Sequence, residues 1–389
     1  MSINAPSSFV LESIRVSNYK SIDELHLDLN NINVFIGRNA SGKSNLVDIF
    51  RFLKDVIQDG IQPAVMQHGG TLGIQNILLN KKKTSISLFG TFNPNYPIKG
   101  MPKKSMEFHY ELNFQTLKTK KEVRITKERL RLFDPSSKKK EFEFNRNSQG
   151  KVSYQNKEIR GMELPKNISF LQVPFDPTLL VFRQAIENIA IFDFNIQWMK
   201  EATPIEHTTV LEEDGSNLAS VIRSILNDDK KKKKFLHYLN YVLGYITDIG
   251  TQNILGSSHI LTVKEKYSKE YFVTAPALSE GTLNIIGIIV AIKFQNASII
   301  ILEEPERFVH PSVLKKITAI LYEEQENKQF LITTHSPELI ENTFPENVIL
   351  VDRDESGSTT VHHPTNNRMV VQFIEDGFTL ADLMVDNTL

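Results

Sequence analysis

The chain has 389 residues, 40% of them hydrophobic, which is enough apolar material for two or three packed lobes. Its 45 basic and 46 acidic residues nearly cancel, which excludes a strongly basic body built to coat nucleic acid but leaves local basic patches open. It contains no cysteine, which excludes disulfides and thiolate metal sites. Because the first residues also lack the pattern of a secretory signal, we expect a cytoplasmic protein.

Hydrophobic periodicity predicts the elements in chain order. The opening segment VLESIRVSNYKSIDELHLDL alternates apolar and polar residues, which predicts antiparallel strands, and INVFIG then predicts a buried strand. A helix follows from about Ser44, where apolar residues recur at helical spacing. From about residue 84 to residue 171, alternating runs separated by lysine-rich turns predict a β-rich subdomain or insertion.

The second half of the chain begins with a predicted helical lobe. PTLLVFRQAIENIAIFDFNIQWMKEA predicts one or two helices, and NLASVIRSILNDDKKKKKFLHYLNYVLGYI predicts a further pair split at its charged run. After residue 265, short continuous apolar strands separated by helices predict a parallel sheet covered on both faces. The apolar region at 283–302 is interrupted by polar residues and is too short to cross ~30 Å of hydrocarbon, so we expect no membrane partner.

The segment GRNASGKS satisfies the phosphate-loop pattern in full, between a predicted strand and a predicted helix. Glycines let backbone N–H groups surround an oxyanion, and the start of the following helix adds its positive end. Lys43 would reach the β- and γ-phosphates, and the Ser44 hydroxyl would hold magnesium. A chance glycine-rich turn is the alternative, and the flanking strand and helix favour nucleotide binding. The predicted nucleotide-binding residues are Gly37, Arg38, Asn39, Ala40, Ser41, Gly42, Lys43, Ser44 and Asn45.

Two carboxylates follow the apolar strand candidate NASIIIL. At the carboxyl edge of a sheet, Glu303 would hold magnesium and Glu304 would orient or deprotonate the attacking water. Alone, such a pair is better explained as the surface end of a buried strand, but the phosphate loop favours the catalytic role. His335 ends the next strand candidate and is expected at the same edge, where it can hydrogen-bond the γ-phosphate and the water. A structural histidine is the alternative there.

The segment LSEGT precedes a long apolar helix. Ser279 is placed to cap that helix, and Gly281 lets backbone approach an anion closely. By itself the segment is an ordinary helix cap. Its position between the phosphate loop and the paired glutamates is what favours a functional role.

In this order the motifs resemble those of the ATP-binding cassette (ABC) ATPases, and more closely the branch that includes RecF, SMC, Rad50 and the OLD-type ATPases. IRVSNYKSID resembles the first strand of that branch, GRNASGKSN its Walker A motif and LSEGT its signature motif. ILEEPERFVHP resembles the Walker B motif with the D-loop, and TTHSP the H-loop. The motifs cover roughly the first fifty and last hundred and twenty residues, and the middle has only a general similarity.

The resemblance implies an α/β P-loop ATPase head with a doubly wound, mainly parallel sheet, an antiparallel β subdomain and a helical lobe. Four segments follow from it: 1–95 and 265–389 would form the head, 96–175 the β-rich insertion and 176–264 the helical lobe. Walker A lies in the first of these segments, and the signature, Walker B and H-loop lie in the last.

The resemblance also implies a site for ATP and Mg²⁺ that two copies share head to tail, in a dimer or a larger homo-oligomer. ATP held by one copy would be closed over by the signature of the other, through Ser279, Glu280 and Gly281. The implied catalytic residues are Glu304, His335 and Lys43, and the implied Mg²⁺ ligands are Ser44 and Glu303. Many relatives have aspartate in place of Glu303, so the longer carboxylate must accommodate the metal differently.

Three functions stay open at this point. The chain resembles the ATPases of Septu, retron and PARIS type, which would make it a switch or sensor that controls a separate nuclease or toxin in bacterial antiphage defence. A RecF-like DNA-binding repair factor is the alternative, and a scaffold that binds ATP with little turnover is the third. The chain carries no acidic cluster spaced for a two-metal nuclease after its last strand candidate, so a nuclease would have to be a partner protein.

Lysine runs at 81–83, 138–140 and 230–234 could contact a phosphate backbone, and nucleic acid therefore stays open as a partner. Such runs are more often solvated surfaces. The adjacent His362 and His363 point to opposite sides of a strand without a third ligand, so we expect a solvated hairpin there and not a metal site.

Overall fold

The computed structural model describes residues 8–79, 81–93, 105–117, 122–155, 157–254, 256–268 and 271–385. Its strands are β1 (Ser8–Tyr19), β2 (Ile22–Asp28), β3 (Ile32–Ile36), β4 (Lys83–Asn93), β5 (Met106–Leu117), β6 (Glu122–Phe133), β7 (Lys140–Arg146), β8 (Lys151–Tyr154), β9 (Lys157–Glu163), β10 (Ala190–Phe192), β11 (Thr203–Pro204), β12 (Ile246–Ile254), β13 (Ser258–Glu265), β14 (Phe272–Thr274), β15 (Ile299–Glu303), β16 (Gln329–Thr334), β17 (Val348–Arg353) and β18 (Thr359–His362).

The α-helices are α1 (Lys43–Gln58), α2 (Ile61–Gln67), α3 (Gly70–Gly73), α4 (Pro177–Glu187), α5 (Ile196–Met199), α6 (Leu218–Leu226), α7 (Asp229–Leu243), α8 (Glu280–Phe294), α9 (Pro311–Glu324), α10 (Pro337–Glu341), α11 (Arg368–Glu375) and α12 (Leu380–Val385). Within the described ranges, none of these helices combines the length and the apolar character that crossing a bilayer requires.

The chain separates into two compact units. The first contains Met1–Asn31, Gly37–Ile189 and Leu350–His362, and the second contains Ile32–Ile36, Ala190–Ile349 and His363–Leu389. The four-segment division expected from the sequence stays a prediction.

An eight-stranded antiparallel sheet is the main element of the first unit, in the order β2-β1-β4-β5-β6-β7-β8-β9. The predicted strands between residues 84 and 171 are therefore confirmed, but they extend the sheet that β1 and β2 begin, since β1 pairs along its length with β4. In β5 buried and half-buried residues alternate strictly, as expected for a strand with one face on the core. The sequence pattern identified the strands but not the sheet to which they belong.

Helix α4 packs on this sheet through one aromatic cluster. The ring of Phe182 lies 5.2 Å from Phe108, 5.7 Å from Tyr110 and 5.8 Å from Phe9, centroid to centroid. All four side chains are at most 2% exposed. Edge-on aromatic contacts of this kind add to the free energy of burial and fix the position of the helix on the sheet.

The helix that follows the phosphate loop, α1, is tied to β1 and α2 by a buried ionic network. His68 bridges two carboxylates of α1, with Nδ1 2.8 Å from Asp48 Oδ1 and Nε2 2.7 Å from Asp55 Oδ2. Asp48 also accepts from the Tyr19 hydroxyl at 2.7 Å and pairs with Lys20. Burial alone would lower the pKa of His68, but the hydrogen bonds to the two carboxylates outweigh it and raise the pKa to about 9.

The second unit contains four parallel strands in the order β10-β15-β16-β3. Strand β3 is buried at all five positions, as the continuous apolar run predicted. Helix α8 is apolar and buried around almost its whole circumference, also as predicted. The expected buried helix followed by a buried strand is therefore confirmed at α8 and β15.

Two details of the second unit differ from the sequence prediction. The run predicted as one or two helices contains β10, whose three residues are too few to produce a periodic signal. The predicted helical lobe also contains the antiparallel strands β11, β12 and β13, and β14 joins their sheet from residues that follow the lobe.

The helix pair predicted around the charged run is confirmed as α6 and α7. The break falls at Asp228, at the start of the charged run, and the Asp228 side chain caps α7 by accepting from the Lys230 and Lys231 amides. Lys230–Lys234 lie inside α7.

We predict that the stability of the protein depends on pH through His68. The folded-state pKa of about 9 lies above the ordinary value of 6.5, so the stabilisation is fully present below pH 6.5 and is lost as pH rises through 9. The thermal midpoint of wild type should fall over that interval, and His68→Gln should lower the midpoint at pH 6 and remove most of the fall. His26→Gln, at an exposed histidine, is the control. A midpoint of the His68→Gln variant that tracks wild type at every pH would contradict the role of this network.

Candidate functional site

The phosphate loop joins β3 to α1 and has the backbone that its glycines predict. Gly42 has φ +112° immediately before α1, and Ala40 has φ +64°. A Cβ at Gly42 would lie 2.1 Å from the Thr359 hydroxyl, so no larger residue fits. The loop therefore presents its backbone N–H groups at the amino-terminal end of a 16-residue helix, where an anion is stabilised.

The hairpin of β17 and β18 supports this loop from a distant part of the sequence. The Thr359 hydroxyl donates to the carbonyl of Ser41 at 3.0 Å, and Arg353 Nε donates to the carbonyl of Ala40 at 2.6 Å. Neither residue belongs to a motif in the sequence, so the sequence analysis missed both.

A chain of side-chain hydrogen bonds connects the same hairpin to the start of α1. Asn45 Nδ2 donates to Ser21 Oγ at 2.6 Å, and Ser21 Oγ lies 2.6 Å from Thr359 Oγ1. Because the Thr359 hydroxyl donates onward to Ser41, it accepts from Ser21. Asn45, predicted as a nucleotide-binding residue, thus has a direct structural role in holding the loop.

The side chains of the loop are arranged for a phosphate. Lys43 is buried, and its Nζ donates to the carbonyls of Gly37 at 2.7 Å and Arg38 at 3.1 Å. Ser44 is exposed in the first turn of α1. The buried Ser41 hydroxyl has no hydrogen-bond partner among the described residues, which in a native fold points to a group that completes it.

These residues fit a nucleoside triphosphate with Mg²⁺. The orphaned Ser41 hydroxyl, the exposed backbone of the loop and the Lys43 ammonium are donors, which is the chemistry that phosphate oxygens require. The Ser44 hydroxyl in the first turn of α1 is an oxygen ligand of the kind that Mg²⁺ binds, with phosphate oxygens completing its shell. When bound, the ion neutralises charge that develops on the phosphates. Across the described ranges, no group of three His, Asp or Glu side chains could hold a metal by itself.

In the second unit, three strands end at one sheet edge. Glu303 at the end of β15 is in register with Thr333, and Thr334 at the end of β16 is in register with Ile36, the last residue of β3. The first glycine of the phosphate loop is the next residue in the chain after Ile36. The parallel sheet expected from the sequence therefore brings the ends of these strands together.

The structure brings Glu304 and His335 into direct contact. His335 Nε2 lies 3.0 Å from Glu304 Oε1, and the other carboxylate oxygen accepts from Arg307 Nε at 2.8 Å. Glu304 has φ +45°, in the left-handed region, and its amide donates to the carbonyl of Thr333 at 2.9 Å. A non-glycine residue in this region is held there by its surroundings and is typical of functional sites.

Two further residues of the same turn were missed by the sequence analysis. Glu306 accepts from the Thr334 hydroxyl at 2.6 Å and from the His335 amide at 2.8 Å, so it fixes the backbone that carries the histidine. Arg307 donates to Asp193 at 2.7 Å as well as to Glu304. The only signal in the sequence was the charge density of EEPER, which does not separate these roles.

The signature segment begins α8 as predicted. Ser279 is its N-cap, with its hydroxyl accepting from the Thr282 amide at 3.2 Å. A Cβ at Gly281 would lie 2.3 Å from the carbonyl of Phe308, so this glycine permits close packing against the turn that follows β15. Asn284, one turn into α8, donates to the carbonyls of Pro305 at 3.1 Å and Arg307 at 2.6 Å. Glu280 lies 3.9 Å from Lys200.

The lysine run at 230–234 and His362, for which the sequence favoured a solvated surface, are on the surface in the structure. Four of the five lysines at 230–234 are exposed, and the fifth is half-buried. His362 is exposed at the end of β18, in the hairpin that was expected.

Comparison with known proteins identifies the family. A family model described as "AAA domain, putative AbiEii toxin, Type IV TA system" matches residues 32–341, well over half of the chain. The chain belongs to this AAA-domain family. No curated protein matches the sequence.

Solved structures similar to this AAA-domain chain are heads of SMC proteins. An Smc head bound to the C-winged helix domain of ScpA has a TM-score of 0.55 at 12% identity, over 91% of this chain and 98% of that one. A Pyrococcus furiosus Smc head with an extended coiled coil, bound to the C-terminal domain of ScpA, also has a TM-score of 0.55 at 11% identity, over 94% and 99%. The α/β P-loop fold and the resemblance to ABC-type ATPases of the RecF and SMC branch are confirmed.

We predict that Gly42→Ala abolishes nucleotide binding by the AAA domain. An alanine there has a strained backbone and must displace Thr359, whose hydroxyl supports the loop. Gly161→Ala is the matched control, because its φ of +75° imposes similar strain, roughly 1–2 kcal/mol, but its Cβ meets no atom within 4 Å. Titration with a fluorescent ATP analogue should show a loss of more than about tenfold in affinity for the first variant only. Wild-type affinity of Gly42→Ala would refute this account of the loop.

Proposed function

We propose that this AAA-domain protein binds and hydrolyses ATP with Mg²⁺, and that two copies join head to tail around the nucleotide. The observation that carries the proposal is the contact between Glu304 and His335 at the edge where β3 ends and leads into the phosphate loop. A carboxylate and an imidazole in contact at that edge form a pair that can accept a proton from water and hydrogen-bond a phosphate.

Nucleotide binding is assigned to the phosphate loop. Residues 37–45 would surround the phosphates with backbone N–H groups, and Lys43 would exchange its bonds to loop carbonyls for the β- and γ-phosphates. The short distances from Lys43 Nζ to Gly37 and Arg38 support this exchange, because they keep the ammonium at the mouth of the loop. Ser44 and Glu303 are the proposed ligands of Mg²⁺, with Glu303 reaching further than the aspartate of many relatives.

Catalysis is assigned to Glu304 and His335. Glu304 would accept a proton from the water that attacks the γ-phosphorus, while the bond to the bridging oxygen breaks and ADP leaves. His335 would hydrogen-bond the γ-phosphate and orient the same water. The His335 amide donates to the Glu306 carboxylate, and this supports the assignment because the hydrogen bond fixes the backbone of the histidine without using a nitrogen of the imidazole ring.

The shared site is assigned to the signature of the second copy. Ser279 is exposed at the start of a 15-residue helix, and the first N–H groups of such a helix have no partner within it. Ser279, Glu280 and Gly281 would close over the γ-phosphate held by the other copy. ATP would then join two subunits, and hydrolysis would release them.

The biological role we propose is a switch that controls a separate effector in bacterial defence. The family description, which names a toxin and a toxin–antitoxin system, supports this role. The two SMC heads with similar folds are described as bound to a domain of ScpA, which supports a partner protein for this fold. We propose that the effector is a nuclease or a toxin that reads the dimeric state.

We predict that Glu304→Gln separates ATP binding from hydrolysis. The amide cannot accept the proton from water, so the rate of phosphate release should fall at least about 100-fold while affinity for ATP is retained. Light scattering with ATP and Mg²⁺ should show a stable dimer of this variant. Glu326→Gln, at an exposed glutamate, should behave as wild type. Equal and negligible turnover in wild type and Glu304→Gln would instead favour an ATP-bound scaffold.

Ser279→Arg tests the shared pocket. A long cationic side chain at the start of α8 should prevent the second copy from closing over the nucleotide. In the Glu304→Gln background we therefore expect a monomer that still binds one ATP, measured by light scattering and by equilibrium titration. A dimer of unchanged affinity would rule out the signature as part of the interface.

A further inference from the structure

Arg307 forms a bridge between two carboxylates beside the proposed catalytic pair. Its Nε donates to Glu304 Oε2 at 2.8 Å, and its Nη1 donates to Asp193 Oδ1 at 2.7 Å. Asp193 is the first residue after the edge strand β10, so it is 114 positions from Arg307 in the chain. The phosphate-loop, signature, Walker B and H-loop roles assigned above use neither residue.

The backbone around Arg307 is fixed on both sides of its side chain. The Arg307 amide donates to the carbonyl of Glu304 at 3.1 Å, which closes the turn after β15. The Arg307 carbonyl accepts from Asn284 Nδ2 at 2.6 Å, which ties the same turn to α8. The guanidinium therefore extends from an anchored backbone and does not lie on a mobile surface loop.

Stability alone does not account for this bridge. The side chain of Arg307 is 40% exposed and that of Glu304 is 29% exposed. Ion pairs with that degree of exposure contribute little to stability, because water screens them. The contacts do fix the plane of the Glu304 carboxylate, since Oε2 accepts from Arg307 Nε and Oε1 lies 3.0 Å from His335 Nε2.

We propose that Arg307 is a positioning residue for Glu304, and that Asp193 sets how strongly Arg307 holds that carboxylate. This inference rests on the proposed ATPase function. With Oε2 bound by Arg307, the proton from the attacking water goes to Oε1, the oxygen beside His335. Asp193 accepts from Nη1 of the same guanidinium and so fixes its orientation toward Glu304.

The Arg307 guanidinium is charged in this position. Burial lowers the pKa of the guanidinium, but the hydrogen bonds to Glu304 and Asp193 and their charges raise it above its usual value overall. Arg307 therefore stays charged at every working pH.

The test compares Arg307→Gln, Arg307→Lys and Asp193→Asn in steady-state ATP hydrolysis. Loss of the guanidinium should lower kcat of Arg307→Gln on the order of 10- to 100-fold with affinity for a fluorescent ATP analogue unchanged, because the Glu304 carboxylate is no longer held in one orientation. Arg307→Lys should restore part of kcat. Asp193→Asn should lower kcat by a smaller factor, again with unchanged affinity.

The separation of kcat from affinity, together with partial rescue by Arg307→Lys, distinguishes positioning from general destabilisation, which would change both quantities. Arg183→Gln is the control, because Arg183 pairs with Glu187 at 2.9 Å in the first unit. If Glu304→Gln abolishes turnover while Arg307→Gln and Asp193→Asn keep wild-type kcat, this inference is overturned and the proposed function is left intact. Absence of turnover in wild type would overturn the proposed function and this inference with it.

Discussion

The parallel register of β3, β15 and β16 is the constraint on which the catalytic chemistry depends. Strands in register end together, so Glu303, Thr334 and Ile36 reach one edge without any long connection. The chain turns immediately beyond that edge. Glu304 forms the start of the turn, in a left-handed conformation that glutamate rarely adopts. A shift of one residue in either strand would put these carboxylates and the histidine on the wrong faces.

The turn after β15 connects the catalytic carboxylate to the signature helix. Asn284 of α8 holds two carbonyls of the turn, and Gly281 permits the carbonyl of Phe308 to approach the first turn of the same helix. Both ends of the turn are thus fixed to one rigid element. The Asn284 side chain thus links α8 through two hydrogen bonds to the turn that carries Glu304. In the dimer proposed above, contact with a second subunit and the geometry of catalysis would depend on the same hydrogen bonds.

Local patterns in the sequence predicted those features that local chemistry determines. The phosphate loop, the cap at Ser279, the buried α8 and the strand ends at Glu303 and His335 are each encoded within about ten residues. Strand β10 was missed because three residues are too few to show a hydrophobic periodicity, and the neighbouring residues have the composition of a helix. The approach of an anion to Gly281 stays a prediction, whereas the close contact that the structure shows there is with the carbonyl of Phe308, an atom that the sequence could not name.

Residues that act across long sequence distances could not be predicted in this way. Arg307 and Asp193 have no motif, and only folding brings them together across 114 positions. The division of strands between the antiparallel and parallel sheets has the same origin, because alternation indicates a half-buried strand but not its neighbour. The phosphate loop is the clearest example. Its glycines can be recognised from a short stretch of sequence, whereas the Thr359 hydroxyl that binds the loop at Ser41 is 318 positions away.

That last contact has a consequence for biosynthesis. A polypeptide emerging from the ribosome exposes GRNASGKS early, but Thr359 and Arg353 lie 318 and 313 positions beyond the loop residues that they bind and emerge correspondingly later. Until then the loop lacks the two bonds that set its curvature. Premature termination products would carry the glycine-rich segment without its support, and so would compete poorly with finished chains for cellular nucleotide.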